Sequence, residues 1–219
     1  MFHITPGGFM KFNPSVFSAI LAVAAVSSAA SISLAARASE WNVDAAHSNV
    51  GFTVRHLVSK VSGGFTDFSG KISFDDKKPE DTKVAITVKS ASINTANSKR
   101  DDHLRSADFF DAAKYPTLSF TSTKITSTGA STYKLEGNQT LHGVTKPAVY
   151  NVEFLGAAKD PEGKTRAGFS ATSKINRKDY GLAWSKIVES TPMVGDEVEI
   201  TLQFEAVNAD SLTKAAPKK

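Results

Sequence analysis

The run Glu197-Val198-Glu199-Ile200-Thr201-Leu202-Gln203-Phe204-Glu205 alternates apolar and polar residues without interruption. Successive side chains of a β-strand point to opposite faces, so this run has one face for a core and one for water. The same period of two recurs through most of the chain. Val50, Phe52 and Val54 alternate with Gly51, Thr53 and Arg55, and Phe68, Ile72 and Phe74 share one parity, as do Val84, Ile86 and Val88. Leu118 with Phe120, Tyr133 with Leu135, then Tyr150, Val152 and Phe154, and finally Ala167, Phe169 and Ala171 continue the pattern. Turn-forming residues separate the runs: Asp75-Asp76 with Pro79, Thr128-Gly129, His142-Gly143 with Pro147, and Asp160-Pro161-Glu162-Gly163. The reading is about eight strands joined mainly by hairpins, hence antiparallel, because almost no connection is long enough for a crossover helix.

Two stretches break the pattern. Residues 98–115, with a polar start, Leu104, Phe109, Phe110 and then Pro116, predict a short helix in a long connection. Asn176 to Pro192 is irregular. Gly63-Gly64, followed by Phe65 and another strand, reads as a hairpin or bulge and not as a phosphate-cradling loop. Eight alternating strands suit either a sandwich, filled by its own side chains, or a closed barrel with room for a small ligand. Alternation does not separate the two. Length favours the barrel: ten residues at ~3.3 Å make strands about 33 Å long, roughly 25 Å along a tilted axis. The fold expected is all-β, an extended eight-stranded antiparallel barrel.

The N-terminus has a different composition. Lys11 precedes the apolar run Val16 to Val26, and small residues lead to Ala36-Arg37-Ala38. Charged region, short apolar region and small-residue site form the order of a secretory signal peptide over residues 1–38, removed to leave one domain over 39–219. Eleven apolar residues are fewer than the roughly 20 that span a bilayer, although the Ala/Ser stretch beyond Val26 leaves an uncleaved anchor as the alternative. Met10 begins a more conventional leader than Met1, and no twin-arginine pair is present. A periplasmic or secreted location follows, with no stable membrane span in the mature form. The whole chain has 26 basic and 22 acidic groups in 219 residues. Lys11 and Arg37 are the only charges in the leader, so the mature chain keeps 24 basic against 22 acidic. The basic groups are interspersed with acids, which excludes a nucleic-acid footprint, and Lys214 to Lys219 is read as a solvated tail. With no cysteine, disulfides, thiolate metal sites, a cysteine nucleophile and a lipidated cysteine are all excluded.

His47, His103 and His142, with Asp44 or Asp101, are the residues a zinc or acid–base site would use, but they lack the spacing of any ligand motif. No serine sits in G-x-S-x-G. No catalytic, metal or cofactor site is therefore expected. The fourteen phenylalanines point instead to an apolar interior, filled by side chains or by a ligand. Arg100, His103, Arg105 and Arg177 lie in the two irregular segments, at barrel ends or over the mouth. Arginine there either meets a polar head group through its planar fork or pairs with Asp101, Asp108 and Asp179 to hold the loops.

Five separated blocks resemble the YceI-like family. They are Trp41-x-Val43-Asp44-x-x-His47-Ser48-x-Val50-x-Phe52-x-Val54-x-His56 with Gly64 and Phe65; Ser92-Ile93-Asn94-Thr95 with Arg100 to Asp111 and Tyr115-Pro116; Gly137 to Pro147; Ile175 to Leu182; and Val194 to Val198. The similarity spans Trp41 to Ala206. One departure is Gln139, where the family commonly has leucine. What the resemblance implies is an extended lipocalin-like barrel, exported, often dimeric, that holds a polyisoprenoid or other long apolar lipid and has no enzymatic activity. The residues assigned to the ligand from faces and loops are Phe52, Val54, Phe68, Ile72, Phe74, Phe110, Phe120, Phe169 and Trp184, with Arg100, His103 and Arg177 towards a head group. The rival readings are an envelope enzyme acting on a lipid head group through His47, His103 or His142, and a ligand-free structural protein with a filled core. If Phe169 lines a tunnel, Phe169→Arg weakens lipid binding and leaves the fold intact; circular dichroism beside a lipid-binding assay checks this, and outright unfolding counts against it.

Overall fold

The computed structural model describes residues 39–74, 78–188 and 191–214. The leader at residues 1–38, the Asp75-Asp76 turn and the tail beyond Lys214 lie outside the described residues. The strands are β1 (Ser39–Val43), β2 (Asn49–His56), β3 (Ser59–Phe65), β4 (Phe68–Phe74), β5 (Lys83–Lys89), β6 (Ile93–Asn94), β7 (Thr117–Ser127), β8 (Thr132–Leu141), β9 (Val144–Lys159), β10 (Thr165–Asn176), β11 (Ile187–Val188), β12 (Thr191–Pro192) and β13 (Val194–Asn208). Two helices, α1 (Ser98–Arg105) and α2 (Ala209–Lys214), complete the regular structure together with short 3₁₀ turns.

Eleven of these strands make eight staves of one closed antiparallel barrel, while β11 and β12 pair with each other in a separate hairpin. The first three staves are each interrupted: β1 with β2, β3 with β4, and β5 with β6. Strands β7, β8, β9, β10 and β13 follow in order. Closure depends on β13. One edge pairs with β10 from Val207 down to Glu197, and the other pairs with β2 (Leu202 opposite Val50) and then with β1 (Ala206 opposite Val43). At the break between β1 and β2 the Ser48 hydroxyl replaces the missing ladder, accepting from the Glu205 amide at 3.0 Å, while the Asp44 amide donates to the Glu205 carbonyl at 2.8 Å. A closed sheet has no free edge, which removes the template for edge-to-edge association.

The turns follow from their residues. Between β8 and β9 only His142 and Gly143 remain, both left-handed (φ 50° and 74°), the geometry of a type I′ hairpin. Asn97 caps α1, its side chain accepting from the Arg100 amide at 3.0 Å. The expectation of a hairpin or bulge at Gly63-Gly64 is corrected: both lie inside β3 in regular register with β2. A Cβ at Gly63 would stand 2.7 Å from the Phe52 ring, so glycine is there for close approach and not for a turn.

Alternation sorts the two surfaces. Phe74, Phe154 and Phe169 meet inside with ring centroids 5.2–5.7 Å apart. Each fully buried aromatic of this kind contributes about 1.5–3 kcal/mol. Outside, Lys174 reaches Glu197 on the adjacent strand and Lys60 reaches across β2 to Glu199; these exposed pairs add at most ~1 kcal/mol each.

The end of the barrel away from α1 is pinned by charge. Arg166 donates to Asp44 Oδ2 (2.8 Å), Asp160 (2.8 Å) and Glu205, and His47 Nδ1 lies 2.9 Å from the same Asp44 oxygen. The Arg166 hydrogen bond first, and His47 second, hold Asp44 at about 2, below the usual carboxylate range. Asp44 is thus deprotonated more readily in the folded chain than in the unfolded one. Its contribution to stability is fully present above the unfolded value of 3.8 and is lost as pH falls through about 2. Urea denaturation followed between pH 5 and pH 2 is expected to show this loss, and Asp44→Asn is expected to flatten it.

Candidate functional site

Inside the barrel lies a cavity of about 230 Å³. Its wall is the inward face of the alternating strands: Val50, Phe52 and Val54 from β2, Ile72 and Phe74 from β4, Val84, Ile86 and Val88 from β5, and Val198, Ile200, Leu202 and Phe204 from β13. The cavity is elongated. On β8 alone, Tyr133, Leu135, Gln139 and Leu141 all line it, a span of eight residues or about 26 Å along the strand, roughly 20 Å along a tilted axis. Polar side chains are few on this wall: Thr82, Ser119, Gln139, Arg177 and the tyrosines 133 and 150.

One end is capped. After β6 the chain leaves the sheet, forms α1, and returns to β7 through a turn bearing Phe109 and Phe110. Leu104, Phe109 and Phe110 all reach the cavity, and Phe110 packs edge-on against Phe65 at 5.7 Å. Asp101 anchors the cap, buried and accepting from the amide and hydroxyl of Thr95. Residues 177–188 and 191–194 complete it, tied to the barrel where the Leu57 amide donates to the Met193 carbonyl at 2.9 Å.

Of the residues assigned to the ligand from sequence, Phe52, Val54, Ile72, Phe74, Phe110, Phe120, Phe169 and Arg177 line the cavity. Phe68, Trp184, Arg100 and His103 are placed elsewhere. Phe68 is buried against Phe204, with rings 6.1 Å apart. Trp184 packs on Phe109 and His103, each at 4.9 Å, behind the wall of the cap. Arg100 donates to the hydroxyl and carbonyl of Thr95, and His103 sits 2.9 Å from Asp108. Arg105 ties the helix to the Ala91 and Ile93 carbonyls and to Asp102. Phe169 does two jobs, lining the cavity and packing on Phe74 and Phe154. An arginine there therefore removes core contacts as well as closing space, and is not a clean probe of the lumen.

Arg177 is the most informative of the arginines. It is 4% exposed. Its guanidinium donates to the carbonyls of Gly195 (2.8 Å), Leu182, Trp184 (2.8 Å) and Val194 (3.3 Å), and to Asp196 (3.3 Å). The five N–H groups of an arginine are matched by five acceptors. Its carboxylate partner is Asp196 and not Asp179, and the side chain staples residues 177–196 to one another. Burial pulls its pKa down, with Asp196 opposing.

The histidines do not converge. His47 belongs to the Arg166 cluster at the uncapped end, while His103 is on α1 in the cap. His142 packs edge-on against Tyr115, ring centroids 4.5 Å apart, with Nδ1 3.2 Å from the Tyr180 carbonyl. Asp44, His47 and Glu205 are close enough to share an ion. However, Arg166 already satisfies both carboxylates, and a guanidinium in that position repels a cation.

Sequence reading missed Gln139 and Tyr150 as a buried pair, the Tyr150 hydroxyl donating to Gln139 Oε1 at 2.9 Å. Burial pushes the Tyr150 phenol well above its ordinary value. The signal was present, since residues 133, 135, 137, 139 and 141 share one parity and Gln139 falls on the apolar face.

A closed eight-stave barrel around an elongated apolar lumen defines a lipocalin-like barrel. The chain belongs to the YceI-like family, whose domain matches residues 41–206. The UPF0312 protein of Pseudomonas fluorescens is 40% identical over 197 residues, covering 86% of this chain and 97% of its own. Among solved structures, the Campylobacter jejuni YceI protein is 38% identical with a TM-score of 0.61, over 70% of this chain and 89% of that one. A polyisoprenoid binding domain from Saccharophagus degradans shares the fold at 18% identity, with a TM-score of 0.56 over 78% of this chain and 99% of that one.

Replacing Arg177 by methionine would leave five backbone and carboxylate acceptors in the cap without their donor. The expected cost is about 3 kcal/mol or more in chemical denaturation, with the loss concentrated in the amides of residues 177–196 when hydrogen exchange is followed.

Proposed function

We propose that this protein binds a long-chain amphiphilic lipid, a polyisoprenoid, an isoprenoid quinone or a similar molecule, and carries or stores it in the periplasm or outside the cell. The observation that carries the reading is the lumen: an elongated apolar cavity, reached on β8 by side chains from Tyr133 to Leu141, in an interior that close packing would otherwise fill with side chains. Burial supplies the driving force, about 0.8 kcal/mol for each methylene withdrawn from water, so a chain binds tightly with few polar contacts. Membership of the YceI-like family supports the reading, as does the Saccharophagus degradans neighbour, which is described as a polyisoprenoid binding domain. The leader-like N-terminus supports export. No described helix is long and apolar enough to cross a membrane.

A head-group enzyme draws no support from the geometry, because His47, His103 and His142 are each engaged by different partners in different parts of the fold.

The test is mass spectrometry of an organic extract from protein purified out of the exporting compartment, beside an Ile200→Trp variant. Ile200 is half-buried and faces the lumen, so tryptophan there occupies the space the chain needs. The expected result is a stoichiometric long-chain lipid in the wild type and its loss in the variant, with unchanged far-ultraviolet circular dichroism. A clean extract from folded wild-type protein would overturn the proposal.

A further inference from the structure

An amide stands out in a wall built of hydrocarbon. Gln139 is 6% exposed and lies on β8 between the inward-facing Leu135 and Leu141. Its side chain lines the cavity. The carbonyl end accepts from the Tyr150 hydroxyl at 2.9 Å, and Tyr150, itself buried, is packed edge-on against Phe120 at 5.0 Å. Burial keeps the phenol protonated, so it remains a donor and orients the amide with its oxygen towards Tyr150. That leaves the Nε2 group, with two N–H donors, without a hydrogen-bond partner among the described residues. Among the described residues the buried polar atoms without a partner are Trp41 Nε1 and Thr82 Oγ1, so the Gln139 amide nitrogen keeps surface open to the cavity, and a donor facing an apolar lumen is best satisfied by an occupant that supplies an acceptor. Leucine would fit the same parity of the strand and would carry no such need.

We propose that Gln139 is a specificity-determining residue that reads an oxygen acceptor on the bound lipid inside the barrel. The lipid would then be one whose carbonyl, ether or hydroxyl oxygen enters the lumen, and not one that presents only hydrocarbon to this part of the wall. The inference rests on the lipid-binding reading and narrows it. A tunnel of hydrocarbon alone measures length and girth. A single oriented donor adds a requirement for where along the chain the oxygen sits, because a polar group in the ligand that misses Gln139 loses water and gains nothing in return.

The experiment is competition for the lumen against cis-parinaric acid fluorescence, using hexadecane and a series of hexadecanones with the carbonyl moved along the chain. Wild-type protein and Gln139→Leu are compared, with Gln139→Met as a second variant that keeps an unbranched side chain if leucine disturbs the fold. The expected result is that the wild type prefers at least one ketone position over hexadecane by about tenfold more than the variants do. In the variants the preference should become flat along the series, and hexadecane should bind more tightly than to the wild type. An identical preference in wild type and variants, with both binding the alkane, would overturn the role of Gln139 and leave lipid binding standing. Failure of every probe to displace parinaric acid from the wild type, or of parinaric acid to bind, would overturn the lipid-binding reading and this inference with it.

Discussion

Everything in this molecule depends on the last strand having two partners. The β13 ladder is continuous with β10 on one side, and on the other it is shared between the two pieces of the first stave. A curled sheet that failed to meet itself would leave a row of unpaired amides and carbonyls and would have no inside. Once it closes, alternation becomes a statement about a lumen: every second residue of β13 from Val198 to Phe204 is committed to a shared interior. The size of that interior is set by how many staves close it, and eight leaves space that the side chains fill only in part. The lipid binding proposed for this lumen would in this sense be a by-product of closure.

The sequence was most legible where period two was strict. The runs at 50–54, 84–88, 167–171 and 197–205 predict inward faces that the structure reproduces, and the break at 98–115 predicts a helix that is present as α1. Legibility failed where a residue's role depends on contacts distant in sequence. Nothing local distinguishes Phe68, buried against Phe204, from Phe74 on the cavity wall. Arg177 was placed near a head group because arginines at a barrel mouth often do that work. Its five acceptors are mostly main-chain carbonyls of residues 182–195, and carbonyls leave no mark in a sequence. Gly63-Gly64 reads as a hairpin or bulge because paired glycines mark such irregularities, although here Gly63 makes room for the Phe52 ring.

The two ends of the barrel are built on different physics. At one end Leu104 of α1 with Phe109 and Phe110 of the following turn covers the lumen, held by the hydrogen bonds between Asp101 and Thr95, while Arg177 holds the neighbouring residues 182–196. At the other, Arg166 gathers Asp44, Asp160 and Glu205 at the surface. The first is continuous with the apolar wall and offers a chain a path of unchanging character. The second is a ring of strongly hydrated charges, which a hydrocarbon tail has no reason to approach. The family resemblance gives the fold; this asymmetry belongs to the side chains.

The interruptions in the first three staves have a mechanical meaning. Residues 44–48, 66–67 and 90–92 lie next to one another across adjacent staves, where the Thr66 amide reaches the Ser92 carbonyl and the Lys89 amide reaches the Asp67 carbonyl. The other five staves run unbroken. The wall therefore has a stiff arc and a jointed one, with a diagonal seam where single hydrogen bonds and the Ser48 hydroxyl stand in for a ladder. In a vessel made this way the hydrogen-bonded hoop runs continuous through five staves and is spliced along one diagonal through the other three.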